Sequence, residues 1–163
     1  MRIDTGQPRP LRARLGEFVR RARQRGLALT PQRLAIVEAL ISREDHPRAD
    51  QICAMVRKRH PYVSLATVHR TLETLCESGE ARKVTPLYDS ARYDANLKPH
   101  HHVVCVRCRK VRDVEIPALS SALIEQGSLG DFKVLGLNLE IRALCARCQK
   151  LKAAARDGQA AAV

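Results

Sequence analysis

Two Cys-x-x-Cys pairs, Cys105–Cys108 and Cys145–Cys148, stand with residues 109–144 between them in a chain of 163 residues. Each pair is a knuckle that offers two thiolates to one ion, and two knuckles complete a tetrahedral zinc site. Redox dithiols are the competing reading, but they go with a thioredoxin-like βαβ setting that this sequence lacks. A four-thiolate site leaves no open coordination position, so its role is structural. Folding and metal binding are then one process, worth on the order of 10 kcal/mol. Whatever the C-terminal part folds into must bring residues 105–108 to residues 145–148. The remaining cysteines, Cys53 and Cys76, fall on expected helices and read as small packing residues.

Immediately before the first knuckle runs His100-His101-His102. On a strand His100 and His102 share a face and His101 points away. Cys105 has the opposite parity from His102, so the histidines are free for another metal. Asp94 precedes them and Asp113 follows on the next expected strand. Mixed nitrogen and carboxylate donors suit manganese or iron(II) better than thiolates do. The competing reading is a row of surface histidines.

Charge favours a polyanionic partner, with a solubilising surface as the competing reading. The formal net charge is +12. Residues 1–92 carry 18 basic and 10 acidic residues, residues 93–163 carry 11 and 7, and eight arginines fall in the first 25 positions. A basic first half suits a polyanion, because lysine and arginine on phosphates release condensed counterions. No stretch approaches the roughly 20 apolar residues of a membrane span. The N-terminus has charges but no apolar h-region, so a cytoplasmic protein without a membrane partner is expected. In that compartment cysteines serve as metal ligands or free thiols rather than disulfides.

Hydrophobic periodicity divides the chain. Leu11, Leu15, Phe18, Val19 and Ala22 recur at helical spacing in residues 11–25, and Gly26 ends that helix. Thr30-Pro31 reads as an N-cap and a proline at the first helical position. A third helix has Asp50 in its first turn and Ile52, Met55 and Val56 inward. A fourth is capped by Ser64, lined by Leu65, Val68, Leu72 and Leu75, and stopped by Gly79. After Gly79 the period falls to two, and "EARKV" and "ARYDA" flank a short hairpin. Helices followed by such a hairpin predict a winged helix-turn-helix. The second half is strand-like, with one helix near residues 117–127. The expectation is an α+β protein: a winged-helix domain with a basic extension over residues 1–92, a small α/β metal-binding domain over 93–150, and a frayed tail over 151–163.

The segments "GLALTPQRLAIVEAL", "HPRADQI", "VSLATVHRTLETL", "ARYD", "HHHVVCVRCRKVRDVE" and "CARC" occur in the order seen in the ferric uptake regulator family. The resemblance runs from about Phe18 to Cys148, and within the family it is strongest to the peroxide-stress branch. It implies a metal-sensing transcriptional repressor that binds a palindromic operator in double-stranded DNA as a homodimer, through a C-terminal dimerisation domain. It implies structural Zn2+ on Cys105, Cys108, Cys145 and Cys148. It also implies regulatory Fe2+ or Mn2+ on His46, Asp94, His100, His102 and Asp113. Ser64, Thr67, His69 and Arg70 fall at the start of the implied recognition helix. In the peroxide-sensing branch, bound iron(II) and hydrogen peroxide oxidise a ligand histidine; His46 and His100 match those positions. The family's additional metal site wants an acid where this chain has His101 and a histidine where it has Leu137, which leaves His101 to face solvent. His69 stands where the family has tyrosine, Ala28 where it often has a basic residue, and Arg109 where it has a glycine suited to positive φ. An iron-responsive uptake repressor on the same scaffold is the alternative. A metalloenzyme is remote, since five protein ligands nearly fill the coordination sphere and no catalytic constellation is evident.

Overall fold

The computed structural model describes residues 10–85, 90–116, 128–134 and 137–152. The chain divides into two compact units, with the break between Lys98 and Pro99. The break follows Lys98, not Arg92, because strand β2 (Arg92–Asp94) pairs with β1 (Arg82–Val84) and so belongs to the first unit.

The N-terminal unit holds four helices, α1 (Leu11–Gln24), α2 (Pro31–Ile41), α3 (Ala49–Val56) and α4 (Leu65–Glu77), followed by the β1–β2 hairpin. Strands β1 and β2 are antiparallel, with Arg82 opposite Asp94 and Val84 opposite Arg92. Helix α2 begins as its sequence dictates: the Thr30 side chain accepts a bond from the Arg33 amide, with proline in the first turn. It buries Ile36, Val37, Ala39, Leu40 and Ile41, which makes it the central helix. Around it pack Phe18 and Ala22 of α1, Ile52 and Val56 of α3, and Val68, Leu72 and Leu75 of α4. Met55 is partly buried against this core. Leu65 departs from the expected pattern: it lies in the first turn of α4 and is 40% exposed.

Helices α1 and α4 end alike. Gly26 and Gly79 take φ of 68° and 69°. The amide after each glycine reaches back to an orphan carbonyl, Leu27 to Ala22 at 2.9 Å and Glu80 to Leu75 at 2.8 Å. The ends are also joined. The Glu80 side chain is fully buried and takes Arg21 at 3.0 Å and Arg25 at 3.1 Å, while Arg25 donates to the Ser78 carbonyl.

The C-terminal unit contains a three-stranded sheet of order β4-β3-β7. Strand β3 (His101–Cys105) is central, antiparallel to β4 (Val111–Val114) and parallel to β7 (Glu140–Ala143). The β3–β4 register sets His102 opposite Asp113 and His101 opposite Val114. Strands β5 (Ser128–Leu129) and β6 (Phe132–Lys133) form a two-stranded hairpin. Residues 146–152 are helical. The helix expected near residues 117–127 and most of the expected tail lie outside the described residues. No helix among the described residues is long and apolar enough to cross a membrane.

Candidate metal centres and recognition helix

Within the C-terminal unit the four knuckle cysteines converge. Their sulfurs all lie within 4.8 Å of one another. Cys105 and Cys108 flank the turn after β3, where the Arg109 amide bonds to the Cys105 carbonyl at 2.9 Å. Cys145 and Cys148 sit at the start of the 146–152 helix, and the Cys145 amide points at the Cys105 sulfur at 3.4 Å. Cys108 and Cys145 sulfurs are 3.7 Å apart, far beyond a disulfide bond. A tetrahedron with zinc–sulfur bonds of about 2.3 Å has an edge of about 3.8 Å, so the spacing fits zinc.

The thiols are electrostatically unequal. Backbone amides of Cys108 and Cys145 pull the Cys105 thiol down to about 6, and the Cys148 amide lowers Cys145. Burial, with the neighbouring thiols, pushes Cys148 up to about 12. Amides aimed at sulfur are typical of thiolates prepared for a cation, and a dication at the centre would remove the penalty on Cys148. Arg109 has φ of 60°, so the turn needs the left-handed conformation although its side chain is arginine.

The nitrogen and carboxylate donors form a group in each unit. In the C-terminal unit, His100 and His102 project from one face, with Nε2 atoms 3.0 Å apart and both side chains buried. Asp113 brings Oδ1 to 3.7 Å from His100 Nε2. Cis ligands around an octahedral ion at about 2.1 Å would be about 3.0 Å apart, so this edge also suits an ion. His101 lies between the two, yet it is buried at 1% exposure. It does not face solvent as expected, because the alternate face of β3 is covered too.

In the N-terminal unit, His46 Nε2 lies 3.8 Å from Asp94 Oδ2, with both residues buried. His46 has φ of 53°, the other left-handed non-glycine position among the described residues. Strand β2 holds this loop: the Tyr93 amide bonds to the Pro47 carbonyl at 3.1 Å, the Arg92 guanidinium donates to the His46 carbonyl at 3.2 Å, and Arg48 bridges Arg92. The motif "ARYD" marks Asp94 but not Arg92, whose partner, the His46 carbonyl, lies 46 residues away in the sequence.

Helix α4 presents the expected reading residues unevenly. Ser64 is the cap: its hydroxyl accepts from the Thr67 amide at 3.0 Å and pairs with the Thr67 hydroxyl at 2.9 Å. His69 and Arg70 are exposed, and Thr67 is half-buried. Cys53 is buried near the Val63 carbonyl, and burial raises the thiol pKa of half-buried Cys76, as packing cysteines should show.

The sequence model of the ferric uptake regulator family matches residues 24–142. The chain belongs to that family. It is 34% identical to the peroxide-responsive repressor PerR of Staphylococcus aureus over 135 residues, which are 83% of this chain and 91% of that protein. Its fold is similar to that of the Helicobacter pylori ferric uptake regulator Fur, with a TM-score of 0.71 at 20% identity over 89% of this chain and 97% of that one. It is also similar to the Campylobacter jejuni peroxide stress regulator, with a TM-score of 0.62 at 26% identity over 82% of this chain and 98% of that one. The α+β winged-helix architecture read from the pattern of elements is the architecture of this family, and the chain is a metalloregulator of it.

Proposed function

We propose that the chain is a DNA-binding repressor that senses hydrogen peroxide through a regulatory metal. The observation that carries this reading is the donor set. His46 sits beside Asp94 in one unit, and His100, His102 and Asp113 converge in the other. Three imidazoles and two carboxylates suit iron(II) or manganese(II), and the acid is aspartate at both carboxylate positions. The likeness to the peroxide-responsive repressor of Staphylococcus aureus and the peroxide stress regulator of Campylobacter jejuni supports the same stimulus.

In this reading zinc is held permanently by the four cysteines, and the chain works as a homodimer. One regulatory ion takes ligands from both units and fixes the spacing of two recognition helices on a palindromic operator. His69 reads base edges, Arg70 takes phosphate, and Ser64 and Thr67 shape the helix start that approaches the DNA. Iron(II), when bound, would cleave the O–O bond of peroxide beside a ligand imidazole, with one oxygen going to a ring carbon of His46 or His100 and the other leaving as water. The oxidised ring would be a weaker donor, and the hold on the operator would be lost.

The test is intact-mass analysis and peptide mapping after anaerobic iron(II) loading and a peroxide pulse, with operator binding followed in parallel. The expected result is one added oxygen on His46 or His100, in step with release of DNA, and neither event with manganese. Release without histidine modification, or oxidation confined to the knuckle cysteines, would overturn the peroxide reading. Iron-dependent DNA binding that ignores peroxide would make the chain an iron-responsive uptake repressor.

A further inference from the structure

We propose that Arg92 is a positioning residue for the regulatory metal, holding His46 in the conformation that lets it serve as a ligand; the inference rests on the donor set proposed above. His46 is buried and left-handed, and it precedes Pro47. The last two conditions are unfavourable for the backbone. A residue before proline is steered to extended conformations, and a side chain with a Cβ disfavours positive φ. Such a conformation persists only where its surroundings over-determine it.

Here the surroundings are one short strand. Arg92 is buried and reaches the His46 carbonyl with Nη1 at 3.2 Å. The next residue, Tyr93, donates its amide to the Pro47 carbonyl. Asp94, two residues along on the same face of β2, lies 3.8 Å from the His46 ring. One strand therefore carries a candidate ligand and also grips the backbone of another. This hydrogen bond is to the carbonyl of His46, so it fixes the backbone from which the imidazole projects. The planar guanidinium reaches the carbonyl from β2 with a length and geometry that a lysine or glutamine at the same place would not reproduce.

Cobalt(II) is a suitable probe, because its visible absorption reports ligand number and geometry at the site. Zinc-loaded wild-type protein and the variants Arg92→Gln, Arg92→Lys, Arg92→Ala and His46→Ala would be titrated with cobalt(II). Circular dichroism and retained zinc would establish that each is folded. Wild type should bind a second ion whose spectrum is lost in His46→Ala. Arg92→Gln and Arg92→Ala should bind it on the order of 10–100-fold more weakly and with an altered spectrum. Arg92→Lys should fall between, and added guanidinium ion should restore part of the binding to Arg92→Ala. Nitrogen-15 spectra of the His46 ring in metal-free protein should shift in Arg92→Gln while those of His100 and His102 do not. If Arg92→Ala fails to fold, Arg92→Gln decides. A folded Arg92→Gln with wild-type affinity, spectrum and His46 ring signals would overturn the proposal. A wild-type protein that takes no second ion, or one that His46→Ala leaves unchanged, would remove the reading beneath it and Arg92's role with it.

Discussion

Cys105, Cys108, Cys145 and Cys148 belong to one folding unit, whereas the proposed regulatory ligands are divided, His46 and Asp94 in one unit and His100, His102 and Asp113 in the other. A site whose ligands share a unit is completed as that unit folds, so its metal is part of the structure. A site with divided ligands can be completed only after both units exist, so its occupancy is available as a signal. Donor chemistry follows the same division: thiolates hold zinc tightly, while imidazoles and carboxylates leave the ion exchangeable. Backbone strain divides likewise. Arg109 is left-handed in a turn next to a thiolate knuckle, and His46 is left-handed at a proposed ligand position.

The comparison breaks most visibly at the cysteines. Cys105→Ser or Cys145→Ser should lose zinc and, with it, coupled folding free energy on the order of 10 kcal/mol. Elemental analysis and size exclusion should show that zinc and the dimer disappear together. A zinc-free, folded dimer would mean that the knuckles are not structural.

Glu80→Ala probes the other unit alone. It leaves Arg21 and Arg25 without their buried partner, and because both arginines are partly exposed the cost should be about 2 kcal/mol. Urea unfolding should show the N-terminal transition moving while zinc content stays at one per chain. Zinc loss in this variant would show that the units do not fold separately.

On DNA, His69→Ala should cost roughly 1–3 kcal/mol at particular base positions. Arg70→Ala should weaken binding to operator and random sequence alike and reduce the salt slope by about 1. Equal losses on both DNAs for His69→Ala would argue that it reads nothing. The smallest expected effect is a gain. Arg109→Gly should relieve the left-handed strain and stabilise the knuckle by about 1 kcal/mol in thermal unfolding, with no change in regulatory-metal affinity. A loss of stability would show that the arginine side chain contributes something the turn needs.

Local signals were strong enough in the sequence to place much of this. Thr30-Pro31, Ser64, Gly26 and Gly79 each mark a helix end for a stereochemical reason, and each end falls there. The knuckle spacing and the alternation of His100 and His102 likewise reach their geometry without tertiary information. The misses concern what lies on the far side of an element. Alternation put His101 on the face opposite His100 and His102, and the resemblance left it to face solvent, but neither says what covers that face. Leu65 was assigned to the apolar stripe of α4, yet the first turn of a helix can project beyond the core it packs on. The expected boundary after Arg92 falls inside a strand, because the β1–β2 pairing carries the first unit through Asp94. Arg92 and Glu80 were invisible as functional positions because their partners are distant in sequence: a backbone carbonyl 46 residues away for Arg92 and, for Glu80, a guanidinium 59 residues away.

The antiparallel pairing of β3 with β4 sets His102 opposite Asp113, and the cysteine turn that joins the strands sets that register, with the Cys105 amide bonded to the Lys110 carbonyl at 2.9 Å. Side chains alternate with a period of two, so one residue added or removed between Cys105 and Asp113 would turn the carboxylate to the opposite face of the sheet. Point substitutions there are a matter of degree, because they alter donor strength with the frame intact. Insertions and deletions are all-or-none. In the proposed site, exchanging the side chains at positions 102 and 113 would tune metal preference by degrees, whereas a change in the length of this connection would take the carboxylate off the histidine face altogether.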